Sequence, residues 1–295
     1  MAGYPLVTMS QRLPATARRE QILDVALDVF AASGFHGASM NDVAVKAGAA
    51  LVVGAAYSPG ISTLLATHLA RSMDVVDTIS TAQFGTGGPA CAREHHRAMG
   101  SEAVEVHKGQ LRTSRGGTGR ELVWFPEPIG AADCYRASLA DPFLLHQTFS
   151  VVRRIESRQA ATRRDRLTAR LPMLRSPHAE GLVGAVWAEV RGEIDGRVEH
   201  RAMATTAPQA TGAASMVAAF CHELVAEATA RGATSEGDRG IRSGTRSAAT
   251  SENIVSLMQL VSKDVRLWAY DGSQINLTSG DAGPIQAARK WTITG

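Results

Sequence analysis

Residues 46–62 read KAGAALVVGAAYSPGIS, and the conformation of Leu51–Ala56 within them decides the architecture of the chain. Taken forward, Leu51 to Ala55 is a short apolar run rich in Val, which suits a buried strand. Ser58-Pro59-Gly60 then reads as a turn, and Ile61, Leu64, Leu65, His68 and Leu69 follow at helical spacing. Taken backward, the same six residues close a run of helical segments. If they are helical, the first fifty residues form a near-complete three-helix unit. If they are a strand, those residues are a two-helix appendage too small for a core of its own.

Upstream of this stretch the helical signals are clear. After an arm with Pro5 and Pro14, Thr16 is placed to cap a helix whose Ile22, Ala26, Val29 and Phe30 make an apolar stripe, and Gly34 ends it. Ser39-x-x-Asp42 is a capping box for a second, short helix ending at Gly48. Phe30 and Met40 are expected in the core. Downstream, Val75–Phe84 alternates as a strand, and Gly85, Gly87 and Gly88 form a loop. Pro89–Met99 reads as a helix with Pro in its first turn. Strands are expected over 102–113, 121–126 and 151–160, with a short basic helix over 163–174. Strands at 181–189 and 197–204 flank the hairpin signal Asp195-Gly196, and a helix spans 213–230. The whole predicts an α+β fold: a short N-terminal helical segment, a mixed-sheet domain, and a poorly ordered C-terminal tail. The expected divisions are an arm (1–14), a helical unit (15–50), a sheet domain (51–232), a Gly/Ser/Thr/Arg-rich linker (233–252) and a tail (253–295).

The chain of 295 residues is 44% hydrophobic and 20% charged, with a net charge of +3. That balance is compatible with nucleic acid without requiring it. Cys91, Cys134 and Cys221 are widely spaced and odd in number, which argues for free thiols and against a disulfide frame or a zinc site. No apolar run reaches the ~18 residues of a membrane span, and the N-terminus lacks the pattern of a signal peptide, so a cytoplasmic protein is expected.

Two resemblances follow from these residues. ARREQILDVALDVFAASGFHGASMNDVAVKAG, about residues 16–48, resembles the start of the TetR-family DNA-binding domain. The resemblance implies double-stranded DNA as partner, a dimer, and Arg18, Arg19, Ser39, Lys46 and Tyr57 as contacts to the duplex. The recognition helix of that family is not matched, because Ala49–Ala56 carries no hydroxyl, amide or cation. The stretches VVGAAYSPGISTLLATHLA, FGTGGPACAREHHRAM, GRELVWFPEP, DCYRASL and TRRDRLTARLPML, within about 51–230, resemble the substrate-side domain of bacterial saccharopine-dehydrogenase-like reductases. This implies an amino-acid-like ligand and, under an oxidoreductase reading, NADP. The chain lacks the G-x-G-x-x-G turn that would hold the dinucleotide, since Val52-Val53-Gly54-Ala55-Ala56 keeps only one of its glycines.

The functional expectation is a TetR-type regulator with a reductase-derived ligand or dimerisation body, and no cofactor. The alternative is a reductase remnant without its cofactor domain. Ser58, Gly60, Cys91, His95 and His96 are the candidate ligand contacts. The turn at Ser58-Pro59-Gly60 opens a helix whose free N–H groups suit a carboxylate or phosphate. Cys91 lies one turn before His95, as a thiol–imidazole pair requires, but no third group orients it, so no catalytic residue is assigned. His95 and His96 point about 100° apart on a helix and cannot share a metal. Arg153, Arg154, Arg158, Arg163, Arg164, Arg166 and Arg170 are the densest basic cluster and read as a solvated face.

Overall fold

A computed structural model describes residues 14–173, 183–233, 244–247, 266–269 and 274–275, together with Met258 and Val261. The chain divides into two compact units, residues 1–52 with 230–246, and residues 53–229 with 247–295. The arm expected over 1–13, most of the linker and nearly all of the tail lie outside the described residues.

In unit one, helix α1 (Ala15–Gly37) breaks at Gly34, whose φ of +69° is the left-handed conformation expected where a helix ends. Thr16 does not cap it: the residue before the helix is Pro14, and Thr16 already lies inside the first turn. Helix α2 (Met40–Lys46) carries the expected capping box, with Ser39 Oγ accepting from the Asp42 N–H and Asp42 Oδ2 accepting from the Ser39 N–H, each at 3.1 Å. Leu51–Val52 belongs to a strand, β1 (Ala50–Val52), and Val53–Ala56 is loop. The pairing partner of β1 is β10 (Gly244–Arg246), parallel, so part of the expected flexible linker is strand. Among the described residues of unit one, α2 leads into this strand and not into a third helix. Phe30 (38% exposed) and Met40 (60%) are therefore not core residues, in contrast to the sequence expectation. Without the covering helix, the inward face of the pair reduces to Val29, Val43, Ala44 and Ala47.

Unit two is built on a ten-stranded mixed sheet of order β12-β11-β9-β8-β2-β7-β3-β4, with a β5–β6 hairpin attached to β7. Its strands are β2 (Val75–Phe84), β3 (Glu102–His107), β4 (Gln110–Arg115), β5 (Glu121–Phe125), β6 (Gly130–Arg136), β7 (Arg154–Ala160), β8 (Gly184–Ile194), β9 (Arg197–Ala207), β11 (Arg266–Ala269) and β12 (Gln274–Ile275). The β8–β9 turn places Asp195 (φ +49°) and Gly196 (φ +71°) as an Asp-Gly hairpin demands. The helices are α3 (Ser62–Ala70), α4 (Pro89–Gly100), α5 (Asp141–Thr148), α6 (Arg163–Thr168) and α7 (Gln209–Ala233). The mixed sheet and its helices make the fold α+β. No helix among the described residues is long and apolar enough to cross a membrane.

Register decides what each sheet face does. β2 and β7 run parallel with Ile79 beside Ile155, Thr81 beside Ser157 and Gln83 beside Gln159, and this face meets α3, α4 and α5. The opposite face carries Ser80 beside Glu156 and Ala82 beside Arg158. At one end of that face, Ala82, Val123, Phe125, Cys134, Ala160 and Ala185 form an apolar cluster. The rest is an ion-paired lattice: Arg158 and Arg154 to Glu156 (2.9 and 2.7 Å), Arg136 to Glu105 (2.8 Å), and Arg191 to Glu189 (2.6 Å). Arg158 also pairs with Glu121. The basic cluster is thus not simply a solvated face. Arg158 is only 6% exposed, and its charge is compensated by Glu156 on its own strand and Glu121 on β5. Arg153 pairs with Asp77 at 2.7 Å, while Arg163, Arg164, Arg166 and Arg170 are exposed.

Candidate functional site

In unit two, the ends of β2 and β7 and the helices that follow leave a cleft of about 650 Å³. One wall is the loop from β2 into α4, Gly85-Thr86-Gly87-Gly88, with Cys91 and His95 one and two turns into the helix. A second wall is the turn before α3, where Tyr57–Ile61 forms a wide helical turn around Ser58 and Pro59. Asp141 at the start of α5 and Gln209 at the start of α7 complete it.

The floor is made of amides. Gln159 Nε2 donates to the His95 carbonyl at 2.9 Å, and its Oε1 accepts from Gln83 Nε2 at 3.2 Å, so the two strand glutamines are fixed end to end. Gln209 Nε2 donates to the Phe84 carbonyl at 3.3 Å. Its side chain is held by glycines. A Cβ on Gly87 would come 2.5 Å from Gln209 Oε1, and one on Gly184 would come 2.6 Å from Gln209 Cγ. No side chain larger than hydrogen fits at either position while Gln209 stays in place.

Three residues lining the cleft each carry a buried polar atom without a hydrogen-bond partner in the protein: Tyr57 Oη, Thr86 Oγ1 and Asp141 Oδ2. The backbone of Ala207 lies near the Tyr57 hydroxyl but outside hydrogen-bond geometry. Burial pushes that phenol well above its usual range. Asp141 is 1% exposed, and burial raises its pKa against the opposing influence of the nearby Ser62, Thr81 and Ser58 hydroxyls. The contact from Thr81 Oγ1 to Asp141 Oδ1 is long, at 3.4 Å. Orphaned buried polar atoms are uncommon, because each costs about 1–3 kcal/mol. Three around one cleft mark a place where water or a ligand completes the bonding.

The sequence-predicted ligand contacts fall as follows. Ser58, Cys91 and His95 all line the cleft. Gly60 is buried behind it, where a Cβ would meet the Gly54 carbonyl at 2.5 Å, so its role is close packing of the turn. His96 is buried and its Nε2 sits 2.9 Å from the Leu171 carbonyl, away from the cleft lining. At the turn before α3, the place expected for an anion has the Asp141 carboxyl beside it, near the Ser58 and Ser62 hydroxyls. Asp141 and the glutamines were missed by sequence reasoning. The signal available for Asp141 was its place at the head of a helix beside Pro142; for Gln83 and Gln159 it was an amide on the strand face that Ile79 and Ile155 bury.

Most of the residues expected to meet DNA make contacts within their own unit. Arg18 bonds Gln21 Oε1 at 2.7 Å and reaches the carbonyls of Ala47 and Gly48 at the end of α2. Lys46 pairs with Asp28 at 3.0 Å, and Ser39 is spent on its capping box. Arg19 is exposed, and Tyr57 is a buried residue of unit two. A strand stands where a recognition helix would have to begin. The loop after β1 does not form the three-glycine turn of a dinucleotide site. The loop after β1 keeps one glycine, Gly54, whose Cβ position faces Leu144 and Pro59, and the head of α3 already has a carboxyl beside it.

No family model matches the chain. No curated protein matches it. Among solved structures, the chain is similar to apo saccharopine dehydrogenase (L-Glu forming) from Saccharomyces cerevisiae, with a TM-score of 0.48 and 12% identity over 78% of this chain and 76% of that one.

Proposed function

We propose that unit two is the substrate-holding part of a saccharopine-dehydrogenase-like oxidoreductase and that its cleft binds a small, polar, amino-acid-like molecule. The observation that carries this is the lining itself: three amides held in fixed orientation and three buried polar atoms left without partners around about 650 Å³. A void of that size and polarity suits a metabolite. The resemblance read from the sequence supports the same assignment. Three of the five stretches that carry it, at 52–70, 84–99 and 133–139, contribute cleft-lining residues. The proposal assigns binding of that molecule to this chain and does not include hydride transfer.

The test is saturation-transfer NMR on the full chain with a panel of L-amino acids and their amides. Saturable transfer to at least one member, reduced at least tenfold by Gln159→Met, is the expected result. A panel with no binder would end the assignment.

A further inference from the structure

Resting on that reading, we infer that the turn from Thr86 to Cys91 at the head of α4 is a monoanion subsite that takes the carboxylate of the bound molecule. Helix α4 runs for 12 residues with Pro89 in its first turn. Proline carries no N–H, so the free donors of that turn are the Ala90 and Cys91 amides. The positive end of the helix dipole adds to them. Gly87, Gly88, Ala90 and Cys91 all line the cleft, and a Cβ placed on Gly88 would meet nothing within 4 Å, so a ligand can approach the backbone there.

The second, independent observation is Thr86. Its side chain is 2% exposed, it lines the same wall, and its hydroxyl has no partner in the protein. A carboxylate oxygen seated on the turn would accept from it. Arg93 stands exposed on the same helix and lines the mouth, where it has no ion-pair partner among the described residues. Its neighbour Arg97 is held by Glu94. One unpaired cation, one hydroxyl and two amides match a single negative charge better than the two of a phosphate.

The test uses sodium acetate as the simplest carboxylate and acetamide as its neutral counterpart, titrated into the full-length chain and read by amide NMR. Acetate is expected to shift the Gly87, Gly88, Ala90 and Cys91 amides saturably, with acetamide at least tenfold weaker and inorganic phosphate weaker than acetate. Thr86→Val is expected to weaken acetate about tenfold without lowering the melting temperature, since it removes an unbonded buried hydroxyl at constant shape. Acetate that leaves these amides unmoved, or binds Thr86→Val equally well, overturns the inference. So does phosphate outcompeting acetate. Amino acids binding the cleft while acetate fails at the turn would sink the subsite and leave the proposed function standing. The converse result would sink the function and leave the subsite.

Discussion

Asp141→Asn isolates the cost of holding a carboxyl in the interior. Burial raises the Asp141 pKa above its ordinary value of 3.8, so between that value and its folded one the native chain holds a proton that the unfolded chain has released. Stability then falls as pH rises, with a slope approaching 2.303RT, about 1.4 kcal/mol per pH unit for one proton. For a body of this size 1 kcal/mol corresponds to roughly 2–4 °C in melting temperature. The asparagine variant keeps the shape and an acceptor for the Thr81 hydroxyl but has nothing to titrate. Paired urea melts from pH 4.5 to 8, followed by tryptophan fluorescence, cancel every other group. The variant should gain on the parent as pH increases from 4.5, until the folded-state value is passed. Parallel stability curves would show that Asp141 ionises as readily folded as unfolded, and the argument from its burial would be wrong.

Other consequences are open to direct measurement. Gly212→Ala places a Cβ 2.4 Å from the Tyr57 ring, an overpacking expected to cost about 1–3 kcal/mol in chemical denaturation. Arg158→Ala strips Glu156 of one of its two arginines at a site 7% exposed. It should destabilise by about 3 kcal/mol, the lower end for breaking a buried pair, because Arg154 remains. Cys91 and Cys221 are exposed, whereas Cys134 is fully buried and burial pushes its thiol up to about 12. Ellman's reagent should therefore titrate two thiols in native buffer and a third only in denaturant. His68 is held below the usual imidazole range by burial and by the nearby Arg201, so the native chain takes up its proton less readily than the unfolded one. Stability tied to it is present above pH 6.5 and is lost as pH falls below that value, and His68→Gln should flatten the acid limb of a melting-temperature profile.

Much of the framework was legible because local signals coincided with tertiary ones. Val75–Phe84 alternates and is a strand of the same bounds, Asp195-Gly196 turns where the dipeptide demands positive φ, and Pro89 opens a helix. Two kinds of feature were not legible. The exposure of Phe30 and Met40 depends on a neighbour that the periodicity of α1 assumes and the strand at Ala50–Val52 does not supply. The cleft depends on cross-strand register, which sets Gln83 beside Gln159 across 76 residues, and on α5 delivering Asp141 to a turn formed some eighty residues earlier. Neither relation leaves a mark on local sequence. Cys91 and His95 were found because helical spacing is local, and their shared wall of the cleft follows from it.

The most direct test fills the cleft from its own wall. In a Cys221→Ser background, N-ethylmaleimide alkylates Cys91 alone of the thiols accessible in the native chain. Calorimetric titration with the amino acid that binds best should then show affinity reduced at least tenfold relative to the unmodified variant, with the melting temperature little changed. Equal affinity before and after alkylation would place the bound molecule elsewhere and contradict the assignment of this cleft.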